Sequence, residues 1–398
     1  MRLILFCLFI PSLCLAQQPI NAEQFFLRGL EKEAPADQVM DQKISFPWID
    51  EVEVRTETDE FDFDRQEYLL RLSPSTAGIR KAQKSLYQEL KNAPDIEGQE
   101  IYCDRVLALH VDWLTLYILR ERENKLEEQA AILRDKQTIY ERMAGTLEFD
   151  PKKLLNLQTE KSDMQLAQNK LRLEWAYILN KYDLQGQEIA FGEFATVETI
   201  AAFLEDSLLS DQSGFTWVDV ETEHKKQLVM KEIALEASEK KRLLDFVQFK
   251  YNGPHTDAIQ ERFTVGLGVQ LSNSGNRKLK MQELYIEKDE LVRKAEREQK
   301  EKMENIQQLE SELLGGIQSF YFFQKTMEEE QINLQKLSSN IAQREGVSPL
   351  LLLEIKERQL SMQLKSLNKQ EDLLRDYLKY LQEREVLCQA GFVNYLQR

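Results

Sequence analysis

Side chains that could carry chemistry are few in this sequence and badly spaced for it. Its three histidines stand at 110, 224 and 255, and no two share the short spacing that brings two imidazoles onto one metal ion. Of four cysteines, Cys7 and Cys14 fall in the first eighteen residues, while Cys103 and Cys388 are far apart and belong to no CxxC. The latter two can form one disulfide in an oxidising compartment or remain two buried thiols. Adjacent carboxylates such as Glu127 and Glu128 sit in a helical stretch and read as a solvated face. With no nucleophile motif and no phosphate-binding loop either, the sequence argues against an enzyme, and it calls for no metal and no cofactor. A formal charge of −16 argues equally against nucleic acid, whose phosphates demand clustered Lys and Arg.

The residues with the most informative spacing do surface chemistry instead. In the sixteen residues FTVGLGVQLSNSGNRK, from Phe263 to Lys278, the apolar Phe263, Val265, Leu267, Val269 and Leu271 alternate with Thr264, Gly266, Gly268 and Gln270. That is the period of a strand with one apolar face and one small or polar face. Ser272, Asn273, Ser274 and Gly275 break the strand, because Ser and Asn compete for backbone hydrogen bonds and cap helices. A charged helical sequence follows. The same order occurs earlier, where Tyr68, Leu70 and Leu72 alternate with Leu69 and Arg71 before Ser73, Pro74, Ser75, Thr76, Ala77 and Gly78. Both passages put Leu-Ser-x-Ser before a glycine and an Arg-Lys pair, Arg80–Lys81 in one and Arg277–Lys278 in the other. An internal repeat of roughly 200 residues is expected.

The elements that must position these strands are long helices. With 15 Gly and 9 Pro in 398 residues and 30% charged side chains, the composition describes extended helices with few turns rather than a compact domain. The opening MRLILFCLFIPSLCLAQQ, with Arg2, an apolar run from Leu3 to Ile10 and Ala16, reads as a secretory signal peptide cleaved after Ala16. The mature chain is thus expected outside the cytoplasm, with any membrane crossing made by strands. Residues 1–16 are assigned to the signal peptide and 17–48 to an N-terminal leader with one helix near Glu23–Lys32. Residues 49–182 form a first repeat. Its hairpin runs from Ile49 to Leu72, with Val52, Val54 and Thr56 on one face and a turn at Glu57–Glu60, and carries a heavy acidic load. A helix from Ile79 to about Met143 follows, expected to be kinked or interrupted at Pro94 and Gly98. The chain turns at Ala144–Pro151 and returns with Leu154, Leu157, Met164, Leu171, Trp175, Ile178 and Tyr182 at coiled-coil spacing. Residues 183–219 are a connector with a short helix at Val197–Leu209. Residues 220–390 form the second repeat, and 391–398 are a tail. In the second repeat the return arm, Pro349 to beyond Glu385, carries Leu353, Leu360, Leu367, Leu374 and Leu381 every seven residues. The two return arms align without a gap at an offset of 198, Asp150 over Ser348 and Met164 over Met362.

The order of signal peptide, strand pair, helical hairpin, connector, strand pair and helical hairpin resembles the TolC-like outer-membrane efflux family over roughly residues 49 to 390. The resemblance is carried by VGLGVQLSNSGNRK at 265–278 and by two hairpin tips: Arg142, Gly145, Leu154 and Leu155 at the first, Arg344, Gly346, Ser348, Leu352 and Leu353 at the second. It implies a mainly α fold of long antiparallel coiled-coil hairpins in two repeats, each with a strand pair contributing to a trimeric twelve-stranded outer-membrane barrel. The implied function is a passive exit duct of a tripartite efflux or type I secretion system. Its partners would be two further copies of the chain, a periplasmic adaptor, an inner-membrane pump and outer-membrane lipid. Phe263, Val265, Leu267 and Val269 would face lipid, and the tips, with Arg142, Asp150, Arg344 and Glu345 on their rim, would dock the adaptor. The competing expectation is a non-conducting periplasmic coiled-coil scaffold or adaptor-like interaction protein.

Overall fold

The computed structural model describes residues 19–32, 44–58, 66–145, 149–209, 217–253, 262–269, 275–342, 349–388 and 393–397. The expected signal peptide lies outside them. In chain order the elements are α1 (Ala22–Lys32), β1 (Ile49–Thr58), β2 (Gln66–Pro74), α2 (Ala77–Met143), α3 (Pro151–Lys181), α4 (Val197–Leu209), α5 (Trp217–Lys240), β3 (Leu244–Tyr251), β4 (Phe263–Val269), α6 (Gly275–Ala342), α7 (Pro349–Glu383) and a 3-10 turn at Val386–Cys388. The fold is mainly α, as expected, with one four-stranded antiparallel sheet in the order β1-β2-β3-β4.

The contacts divide the chain into two compact units. One comprises residues 1–34, 102–212 and 305–398, the other residues 35–101 and 213–304. The first holds the main core. Phe25 and Phe26 of α1 are fully buried against Trp113 of α2, with Phe25 and Trp113 ring centroids 5.1 Å apart. Ile20 forms a parallel bridge with Ile189, and the Ala195 amide donates to the Leu396 carbonyl at 2.7 Å. Leader, connector and tail therefore close over the same helices. Cys103, at the start of this unit's share of α2, is disulfide-bonded.

Within this unit the helices pack in the order α3, α2, α7, α6. Between α3 and α2, Arg172 pairs with Glu123 at 3.2 Å and Lys181 with Asp112 at 2.7 Å. Between α2 and α7, Arg122 pairs with Glu371 at 2.5 Å and Lys136 with Glu357 at 2.6 Å, around an apolar contact of Ile132, Leu353 and Leu360. Between α7 and α6, Arg358 pairs with Glu330 at 2.6 Å and the Tyr380 hydroxyl donates to Glu310 at 3.0 Å. Eleven residues of α7 are buried and only four of α3, which places α7 inside the layer and α3 at its flank. The seven-residue leucine period explains the first number, since all five of its leucines are buried.

In the second unit, helix and strand meet at a capped junction. The Ile79 amide donates to the Thr76 hydroxyl at 3.2 Å, so Thr76 satisfies one of the free donors at the start of α2, and the Ser75 amide donates to the Trp48 carbonyl. The Arg80 guanidinium lies over the Trp48 ring, 3.1 Å from its centroid. Glu236 of α5 is buried and held by Lys280 of α6, whose ammonium this contact pushes above the usual lysine range.

Three expectations need correction. α2 runs through Pro94 and Gly98 without interruption. One lost donor costs the helix about 3 kcal/mol, which the many other turns of a 67-residue element absorb. β1 extends through Glu57 to Thr58, so the first half of the turn expected at Glu57–Glu60 is strand, while Asp59 and Glu60 lie outside the described residues. α7 ends at Glu383 rather than beyond Glu385, because Glu385 adopts φ 58° and ends the helical run.

Candidate membrane interface and hairpin tips

Paired residues of an antiparallel sheet project to the same side, so the register assigns the faces directly. Across the four strands the pairs run Thr56–Tyr68–Tyr251–Phe263, Val54–Leu70–Phe249–Val265 and Val52–Leu72–Val247–Leu267. Three rungs, apolar save for Thr56, thus lie on one face. That face is open: Val54, Phe263, Val265, Leu267 and Val269 are each more than 60% exposed. At one end it carries an aromatic row, with Tyr251 5.2 Å from Phe263 and 6.3 Å from Tyr68.

The opposite face is polar. Glu53 and Arg71 pair at 3.7 Å, and Arg71 also lies 3.4 Å from the centre of the Phe246 ring. Lys250 pairs with Glu67 at 2.5 Å, and Thr264 stands beside Lys250 in register. Of the first hairpin's acidic residues, Glu53 and Glu57 therefore sit on this side, turned away from Val52 and Val54. Gly266 and Gly268 fill the same face. A Cβ on Gly268 would fall 2.3 Å from Cε1 of Phe246, whereas one on Gly266 would meet nothing nearer than 3.7 Å. Gly268→Ala is accordingly expected to displace the Phe246 ring and cost about 1–3 kcal/mol, lowering the thermal midpoint, while Gly266→Ala leaves it near the wild-type value. Equal midpoints for the two variants would refute the packing role of Gly268.

Both outer strands of the sheet have an unpaired edge among the described residues. The residues after Val269, including Leu271 and the expected Ser272–Ser274 break, lie outside the described residues.

At the first hairpin tip, Arg142 is exposed in the last turn of α2 and Gly145 takes φ 99° in the turn, with open space where a side chain would project. Asp150 caps α3, its carboxylate accepting from the Lys152 amide at 3.0 Å, and Pro151 follows where a missing amide costs nothing. Leu154 packs with Leu133, Tyr140, Leu157 and Met164, while Leu155 is 63% exposed. At the second tip Leu353 is buried against Ile132, and Leu352 is half-buried. Arg344, Glu345, Gly346 and Ser348 lie outside the described residues. The two tips are linked through α7, since Leu350 packs against the first-tip cluster.

A second apolar surface escaped the sequence reading. On α3, Leu155, Leu166, Leu173 and Tyr177 are exposed, Leu173 at 74% and Tyr177 at 69%. Leu173 stands nine residues beyond the buried Met164, two and a half helical turns, and so projects from the side of α3 opposite its contact with α2. On α6, Leu314, Tyr321, Phe322, Ile332 and Leu337 are exposed as well. Spacings of seven and eleven residues in both sets were the available signal. No group of three or more His, Cys, Asp and Glu side chains among the described residues is placed to hold a metal ion.

Two long helical hairpins and a four-stranded antiparallel sheet drawn from both halves of the chain define the TolC-like fold. No protein-family model matches the sequence, and no curated protein matches it. Solved structures do match. CusC, described for conformational changes accompanying folding and transmembrane channel formation, superposes with a TM-score of 0.62 at 12% identity, covering 93% of this chain and 92% of its own. The outer-membrane channel OprN gives 0.58 at 13% identity over 91% and 89%, and the Neisseria gonorrhoeae MtrE outer membrane channel in its open state 0.58 at 8% over 94% and 84%.

Proposed function

We propose that this chain is an outer-membrane exit duct, a passive oligomeric pore for an efflux or type I secretion system. The observation that carries the reading is the sheet: four strands with one open apolar face, one charged face and two unpaired edges. Four strands cannot close a barrel, and unpaired edges cannot face lipid, so other copies must supply the missing partners. Three copies would contribute twelve strands, with Phe263, Val265, Leu267 and Val269 toward lipid and Glu53, Arg71 and Lys250 toward water. No described helix is long and apolar enough to cross a membrane. The fold shared with outer-membrane channels supports the same assignment.

In this reading the helices continue the pore into the periplasm. The tips, with Arg142, Gly145, Asp150, Leu154, Leu155, Arg344, Glu345, Gly346, Ser348, Leu352 and Leu353, receive a periplasmic adaptor coupled to an inner-membrane pump. Exposed Leu155 offers an apolar contact beside the charged rim.

The test is fractionation followed by native mass and planar-bilayer conductance. A trimer extracted by detergent from the outer membrane, with discrete conductance steps, is the expected result. A monomer or dimer in the soluble periplasmic fraction would instead favour the coiled-coil scaffold.

A further inference from the structure

We infer that the junction between the sheet and its helices is a binding belt for anionic phospholipid headgroups, formed by Lys81, Lys84, Lys240, Lys241 and Lys278 beside the exposed ring of Trp48. This rests on the outer-membrane reading above and adds to it a lipid class that an apolar sheet face alone does not specify.

Register puts every strand-to-helix junction at one end of the sheet. Ile49 pairs with Pro74 and Leu244 with Val269, while the aromatic row of Tyr68, Tyr251 and Phe263 lies at the other end. The start of α2, the end of α5 and the start of α6 therefore gather there. They pack side by side: a Cβ on Gly78 would stand 4.0 Å from the Ser238 hydroxyl, and Arg277 pairs with Glu239 at 3.7 Å.

Charge at these helix ends is unlike charge in the rest of the chain. The sequence has 68 acidic and 52 basic residues, yet residues 77–84 and 275–282 hold three cations each and no acid. Cations in the opening turns of a helix oppose its macrodipole, which favours acids there, and an external anion would offset that penalty. Thr76 already caps α2, so the demand falls on side chains rather than on free amides. Three nearby carboxylates are already taken, Asp50 by Arg242 at 3.7 Å, Glu239 by Arg277 and Glu236 by Lys280. Lys81, Lys84, Lys240, Lys241 and Lys278 remain exposed, with no ion pair among the described residues.

The apolar surface beside these amines decides the kind of anion. Trp48 is 65% exposed, yet its ring is held by the Arg80 guanidinium and its carbonyl by the Ser75 amide at 2.7 Å. Leu243 is 70% exposed, and the open apolar face begins at the next pair, Leu244 with Val269. Free phosphate or an acidic peptide would leave the indole and the leucine bare. A phospholipid headgroup uses both features: its phosphate meets ammonium groups whose stems lie along apolar surface, at the depth where Trp is favoured. Each basic residue near an anionic bilayer surface strengthens binding about fivefold.

The experiment is native mass spectrometry of the detergent-extracted protein titrated with phosphatidylglycerol or with phosphatidylcholine. The wild type is expected to retain phosphatidylglycerol about tenfold better. Glutamine at all five belt lysines should remove that preference. Glutamine at Lys170, Lys325, Lys336, Lys356 and Lys365, which is the same change in charge at equally exposed positions, should keep it. In the unmodified chain the preference should also fall as salt is raised. A preference that survives in the belt variant, is lost equally in the control variant or ignores salt would overturn the belt. Displacement of phosphatidylglycerol by an equal concentration of inorganic phosphate would overturn the lipid assignment in favour of a free anion. Fractionation and native mass separate the remaining failures. An outer-membrane oligomer with no lipid preference overturns the belt and leaves the duct standing, whereas a soluble monomer overturns both.

Discussion

Leu267→Arg is expected to empty the outer-membrane fraction of this protein. Leu267 is 66% exposed on the rung it shares with Val52, Leu72 and Val247, within a face that has no charged side chain in its three rungs. An arginine near the middle of a barrel's lipid face costs about 2–4 kcal/mol, and three copies would incur the cost together, on the order of 6–12 kcal/mol per trimer. That is comparable with the entire stability of a typical domain. Thr264→Glu is the matched control, since Thr264 projects from the other face beside Lys250 and a carboxylate there gains a cationic neighbour. It should fractionate and assemble like the wild type. If Leu267→Arg reaches the outer membrane in normal amounts, the apolar face is not the lipid face.

The second large effect is expected on acidification. His110 is fully buried in α2, its ring 4.5 Å from that of Phe26, and its Nδ1 lies 2.7 Å from the Val106 carbonyl oxygen. Burial pushes its pKa down from 6.5 to about 4, against the opposing pull of backbone hydrogen bonds with Val106 and Val393. The folded state thus favours the neutral ring. Above pH 6.5 the group is neutral in both states and contributes no pH dependence. As pH falls from 6.5 towards 4 the unfolded chain takes up a proton that the folded chain refuses, so stability drops by about 1.4 kcal/mol per unit, roughly 3 kcal/mol in all. Thermal midpoints measured by circular dichroism should show this loss in the wild type but not in His110→Gln. A parallel pH profile for the two proteins would mean that the imidazole is not held neutral.

Much of the architecture was legible because long helices repeat their instructions. The heptad leucines of α7 announced a seam every seven residues, and all five are buried. The Ser-Pro-Ser-Thr break announced a cap, which Thr76 supplies. Alternation in Phe263–Val269 announced a strand with an exposed apolar face, as observed. The first hairpin was harder, because its acidic residues dominate a composition reading although Glu53 and Glu57 share the polar face. The pairing of β2 with β3, Leu70 opposite Phe249, is a contact across 179 residues that no local pattern encodes. The interruption expected at Pro94 came from a local rule that a 67-residue helix can override. At the tips, the sequence placed Gly145 and Asp150 in a turn, but the cap that Asp150 provides and the exposure that separates Leu154 from Leu155 are matters only packing and backbone geometry could decide. The exposed stripes on α3 and α6 went unread because a coiled-coil reading looks for the seam and not for its reverse.

The closure of the first unit by Ile20, Ile189 and Leu396 has a consequence for the order in which the chain can become native. Its core takes residues from near both ends of the sequence and from the middle, so its decisive contacts have very large sequence separation. Such contacts form late and slowly, since loop closure comes before any compensating burial. The helices can form and pair as soon as they emerge, but the part of the core that Tyr395 and Leu396 complete stays open until those residues arrive. Over that interval the chain depends on whatever shields hydrophobic surface in its compartment. A proteolytic nick near Leu396 should therefore act on yield before it acts on anything the finished protein does.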